Sequence, residues 1–109
     1  MANSVSDNID LTEEEKDAKE FLTSLLCSIT DTDEMNALLE DLLTPREMID
    51  IIQRYLLMDD LYQGISQREI ATKRKMSLCK ITRGSRMLKK KDGYMRKLLQ
   101  ERYDDYTHI

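Results

Sequence analysis

The chain has 109 residues, 35% of them charged and 40% hydrophobic, with three Gly, one Pro, no Trp and a formal net charge of −4. That length suits one domain, and few Gly and Pro beside many Leu, Met, Glu and Lys favour helices over strands. No apolar run is long enough to span a membrane, the N-terminus lacks the basic start and apolar middle of a signal peptide, and Cys27 and Cys79 stand apart with no CxxC pair and no nearby His. The expectation is therefore a cytoplasmic protein with two reduced thiols and no metal site.

The charge is divided along the chain. Residues 1–60 carry 16 acidic and 4 basic side chains, whereas residues 61–109 carry 5 acidic and 13 basic. Sign asymmetry of this kind is a footprint of a nucleic-acid or membrane surface, because a partner meets the local field and not the net charge.

In chain order, residues 1–10 are polar and expected to form a disordered arm. Thr12 begins a helix with Glu at its third position, a capping box, and Ala18, Phe21, Leu22, Leu25, Leu26 and Ile29 recur at helical spacing. "TDTDEMNALLEDLL" repeats the device, with Asp or Thr as the cap. Thr44 then caps a third helix, with Pro45 at its first position, Glu47 completing the box and Gly64 as the stop. Met48, Ile49, Ile51, Ile52, Tyr55, Leu56, Leu57, Met58 and Leu61 cover most of that helix, more apolar surface than one small chain can bury, so a second subunit is expected.

Next comes "ISQREIATKRKMSLCKITRGSRMLKKK", residues 65–91, with ten Lys or Arg and one acidic residue, Glu69. Ser66 caps a short helix, Gln67 to about Arg74, and Ser77 caps a second, about Leu78 to Lys89. Two short helices joined by a tight turn form a helix-turn-helix pattern over residues 66–90. Ile70, Ala71, Met76, Ile81 and Gly84 fall on the inward face, Ala71 and Gly84 being small enough for a close crossing. That leaves Cys79, Lys80, Thr82, Arg83 and Arg86 facing out, with Gln67 and Arg68 at the first helix's start and Lys73, Arg74, Lys75, Lys89, Lys90 and Lys91 flanking. Basic side chains for phosphates beside short polar ones for base edges are what a duplex requires. A membrane-surface helix would need bulky apolar residues opposite the basic face over several turns. The last segment, "DGYMRKLLQERYDDY", predicts a helix with Tyr94, Met95, Leu98, Leu99 and Tyr103 inward.

The stretch from Ile65 to Lys90, with "SQRE", "ITRGS" and "LK" at their spacing, resembles the Trp repressor family, and the resemblance extends upstream through "LLTPREM" to cover about residues 40–90. It implies an all-α fold of about six helices in an intertwined homodimer, one helical domain over residues 11–109. It also implies a transcriptional repressor that binds double-stranded operator DNA as a dimer, with L-tryptophan as co-repressor. The DNA contacts expected are Gln67, Arg68, Lys80, Thr82, Arg83, Arg86 and Lys89. For the ligand, the resemblance implies that Arg54 and Arg83 sandwich the indole, that Thr44 and the Leu43 carbonyl help hold it, that Gly84 lets the ring approach, and that Met87 stands beside it. Read without the family, Arg54 would pair with Asp50 one helical turn earlier.

The sequence departs from the family pattern in three places. Met87 stands where a small polar residue is usual, Lys75 where the turn usually has Gly, and Cys79, Lys80 and Arg86 replace smaller or neutral residues on the reading face. The alternative is a regulator of the same fold that is constitutive or senses a different ligand. Catalysis is not expected: the only His is His108, and there is no glycine-rich phosphate loop, nucleophile–base pair or metal spacing.

Overall fold

A computed structural model describes residues 10–107, six helices with no strand among them. They are α1 (Glu13–Ser28), α2 (Thr32–Leu42), α3 (Pro45–Tyr62), α4 (Gln67–Arg74), α5 (Leu78–Lys89) and α6 (Tyr94–Thr107). The fold class expected from the sequence, all-α with a helix-turn-helix, is the one observed. The arm expected over residues 1–10 lies, apart from Asp10, outside the described residues, as does His108. The chain divides into two compact units between Thr44 and Pro45.

In the first unit the helices start where local chemistry places them. Thr12 Oγ1 accepts the Glu15 amide at 3.1 Å and Glu15 Oε1 accepts the Thr12 amide at 3.0 Å, the reciprocal capping box. Asp31, the first of the two candidates, caps α2 by accepting the Glu34 amide at 3.0 Å. Glu13, Glu14 and Glu15 complement the positive end of the α1 dipole. No residue of α1 or α2 is buried, and Phe21 is 72% exposed.

In the second unit α3 is the element against which α4, α5 and α6 all pack. It ends in a Schellman motif: Gly64 has φ +90°, its amide donates to the Leu61 carbonyl, and the Ile65 amide donates to the Asp60 carbonyl, each at 3.0 Å. The core joins Leu57 of α3 to Ile70 of α4, Met76 of the turn and Ile81 of α5. The inward faces of the helix-turn-helix therefore lie where the spacing put them. The small residue Gly84 serves a different crossing from the one expected. A Cβ there would stand 2.5 Å from Leu57 Cδ2, so its missing side chain lets α5 close on α3 instead of on α4.

Two adjacent carboxylates at the end of α3 fasten the other helices. Asp60, buried, accepts Arg74 Nε at 2.6 Å and Nη2 at 3.2 Å, with Lys73 Nζ 3.7 Å away. That ties α4 to α3 by a bidentate pair. Asp59, also buried, accepts the Tyr103 hydroxyl and Gln63 Nε2 (2.8 Å), with Arg102 at 3.9 Å, which ties α6 to α3. Burial acts to raise the Asp59 pKa, but the hydrogen bonds from Tyr103 and Gln63 and the Arg102 charge outweigh it, and the carboxyl sits below its ordinary value. The same Asp59 bond raises the Tyr103 phenol above its ordinary range. The Tyr62 and Tyr103 rings stack at 5.9 Å. The inward face expected for α6 is narrower than its periodicity suggested. Leu99 is buried and Met95 and Tyr103 are half-buried, but Tyr94 and Leu98 face out.

Candidate functional site

Two serines and one strained lysine set the geometry of the helix-turn-helix. Ser66 Oγ accepts the Glu69 amide at 3.1 Å to start α4, and Ser77 Oγ accepts the Lys80 amide at 3.3 Å to start α5. Between them Lys75 is left-handed, φ 52° and ψ 47°, and the Met76 amide donates back to the Ala71 carbonyl. A side chain in that region costs on the order of 1 kcal/mol, which glycine would not incur.

With Ile81, Gly84 and Ser85 buried, α5 turns Cys79, Lys80, Thr82, Arg83, Arg86 and Lys89 outward. Gln67 and Arg68 are exposed on the first turn of α4. All seven residues singled out for DNA are thus solvent-facing, and five of them lie on one helix. Leu78 joins them at the tip of α5, 66% exposed, a residue the sequence pattern did not single out. Arg74, expected among the flanking cations, is instead engaged by the Asp60 pair, which raises its pKa further, so it serves the fold.

Behind α5 lies a cavity of about 100 Å³, several times the space one water needs. Leu57, Met58 and Met76 supply apolar lining, Gly84 backbone, and Asp50, Gln53, Arg54, Lys80 and Arg83 polar groups. Three cations against one carboxylate give the lining a net positive field suited to an anion. Guanidinium planes also stack on aromatic faces and fork onto carboxylates. Asp50 pairs with Arg46, whose Nε is 3.5 Å from Oδ1, and not with Arg54 as the helical spacing alone would suggest. That same buried oxygen takes no hydrogen bond.

Of the six residues expected at a ligand, Arg54, Arg83 and Gly84 line this cavity. Met87 is half-buried and is not part of the lining. Leu43 and Thr44 belong to the first unit, where Leu43 closes α2. Asp50, Gln53, Met58 and Lys80 are members that no motif announced. Only one-turn spacing on α3 could have suggested the first three, Asp50 and Met58 lying four residues either side of Arg54 and Gln53 three after Asp50. Among the described residues no group of His, Cys, Asp and Glu could hold a metal ion, and no helix is long and apolar enough to cross a membrane.

The profile of the Trp repressor protein family matches residues 16–103. The chain belongs to the Trp repressor family. It is similar to the Trp operon repressor homologs of Xylella fastidiosa strains M23, Temecula1 and 9a5c, 44% identical to each over 69 residues, which are 62% of this chain and 75% of each relative. No solved structure gives a significant match. As a member of the Trp repressor family, the chain is a regulator of the repressor type, built on the helix-turn-helix described above.

Proposed function

We propose that the chain represses transcription by binding operator DNA as a homodimer, with L-tryptophan as co-repressor. The observation that carries the reading is the outward row on α5: Lys80, Thr82, Arg83, Arg86 and Lys89 project from a helix whose opposite face is buried. Gln67 and Arg68 add phosphate contacts where α4 offers free amides. The family match from 16 to 103 supports reading residues 11–109 as one functional domain. Exposed Phe21, Leu22, Leu25, Ile49, Ile51 and Ile52 support a second subunit, since so much large apolar surface is rarely left in water.

The ligand would enter the cavity between α3 and α5, its ring between Arg54 and Arg83, its carboxylate on the cationic wall and Gly84 beside it. Filling that space fixes the angle at which α5 projects. Two recognition helices must enter successive major grooves together, so projection decides whether both dock. The ligand promotes binding only as far as it prefers the docking-competent state, typically by about 1–3 kcal/mol, and DNA tightens the ligand by the same factor. A second reading, a same-fold regulator for a different anionic ligand, is favoured by Lys80, a third cation on the cavity wall beside Arg54 and Arg83.

The test is DNA affinity with and without saturating L-tryptophan. Tighter binding with tryptophan, abolished by Arg54→Ala, supports the first reading. Equal affinities leave the second reading or a constitutive regulator. Sedimentation showing a folded monomer at micromolar concentration would overturn the dimer.

A further inference from the structure

Beyond the outward row of α5, a second cationic surface lies at the corner between α5 and α6. A groove of about 490 Å³ there is lined by Lys91, Asp92, Gly93, Tyr94, Arg96, Lys97 and Gln100. Its three cations are exposed, and none has an ion pair among the described residues. Lys97 Nζ stands 5.7 Å from the centroid of the Tyr94 ring, itself 68% exposed. The turn that leads into the groove is tight. The Gly93 amide donates to the Lys90 carbonyl at 3.1 Å, and a Cβ on Gly93 would meet the carbonyl oxygens of Met87 and Lys90 at 3.2 and 3.3 Å. Lys91 is therefore held near the end of α5 and continues the run Lys89–Lys90.

The position relative to DNA follows from length. The 12 residues of α5 span about 18 Å at the helical rise, roughly twice the depth of the major groove. A helix entering by its N-terminal turn carries its C-terminal end out past the phosphate rim. Side chains just beyond that end meet backbone and not base edges.

We propose that Lys91, Arg96 and Lys97 form a second, sequence-independent contact surface for the phosphates flanking the segment that α5 reads. The inference rests on the DNA-binding reading above and deepens it. The patch sets affinity and salt dependence, while α5 sets sequence preference. Asp92 trims the field at the groove edge without cancelling it, three positive charges facing one negative.

The test is fluorescence anisotropy on a 40-base-pair mixed-sequence duplex over a range of salt concentrations. It compares the full chain, the triple variant Lys91→Ala/Arg96→Ala/Lys97→Ala, and a control that removes three cations elsewhere, Lys16→Ala/Lys19→Ala/Arg46→Ala. All six positions are exposed. Thermal unfolding checks folding, and Lys91→Gln/Arg96→Gln/Lys97→Gln replaces the alanine variant if its midpoint falls. The expected result for the triple variant is a fall of about 2–3 per chain in the slope of log affinity against log salt. With it comes a loss of tenfold or more at moderate salt, with the control close to the unaltered chain. A triple variant with unchanged slope beside a weakened Lys80→Ala/Arg86→Ala variant overturns the second surface and leaves the α5 reading standing. Equal losses in triple variant and control also overturn it, since bulk charge would then explain both. No duplex binding by the unaltered chain overturns the patch together with the reading on which it rests.

Discussion

The two units are both helical, but they are helical for different reasons. α1 and α2 are defined by their own ends: a capping box at Thr12, an Asp31 cap and acidic first turns, with nothing buried along either helix. α4 and α5 have caps of the same kind at Ser66 and Ser77, yet they also share a core with α3 in which Leu57, Ile70 and Ile81 are almost wholly excluded from water. Isolated helices of 11 to 16 residues are marginal in water however well they are capped. Capping decides where a helix begins, and burial decides whether it persists. The first unit displays its apolar face, and a second copy of the chain is what the proposed function supplies to cover it.

Breaking the core should give the largest effect. Ile81→Ala is expected to cost about 3–4 kcal/mol in denaturant unfolding, through lost transfer energy and the void left behind. Leu25→Ala in α1 should show a loss that grows as protein concentration falls, if a second copy covers that face. A loss independent of concentration would count against the dimer. Arg74→Ala should cost about 3 kcal/mol by leaving Asp60 buried with only the more distant Lys73. Gly84→Ala is expected to cost about 1–3 kcal/mol, since Leu57 must give way to the added methyl.

Acid should act on the second unit in particular. The Asp59 pKa is depressed in the fold, so the stability it contributes is fully present above the unfolded carboxylate value near pH 4. That contribution is lost as pH falls through the lower folded-state value. Asp59→Asn should flatten this part of the acid limb of a stability–pH curve, and an unchanged limb would show that the network does not carry it. The smallest effect is expected at the turn: Lys75→Gly should gain about 0.5 kcal/mol, because relief of the left-handed strain is partly offset by glycine's freer unfolded state. A loss on this substitution would show that the lysine side chain makes an interaction that outweighs its backbone.

Much of the site was legible because its signals are local or patterned. The caps act over three residues, Gly64 marks the end of α3, and helical spacing separated Ile70, Met76 and Ile81 from Lys80, Thr82 and Arg86. The cavity was legible only through the family's Arg54, Arg83 and Gly84; Asp50, Gln53 and Lys80 carry no motif. Arg74 looked like one more cation in a basic run, and nothing within its own helix discloses the Asp60 that holds it.

The sequence by itself determined the six helices, the caps at Thr12, Ser66 and Ser77, the stop at Gly64, the turn and the split in charge. Each of these follows from hydrogen bonds and side-chain periods within a few neighbouring residues. Only the tertiary structure decided how the charged and apolar residues are used. Asp60 reaches Arg74 across 14 residues and Asp59 reaches Tyr103 across 44. Gly84 serves the α3 crossing because Leu57 stands opposite, and Tyr94 faces out because α6 buries only the stripe around Leu99. Helical periodicity gives the faces of a helix, but which face is covered depends on neighbours distant in the chain, and their positions are fixed only when the helices pack together.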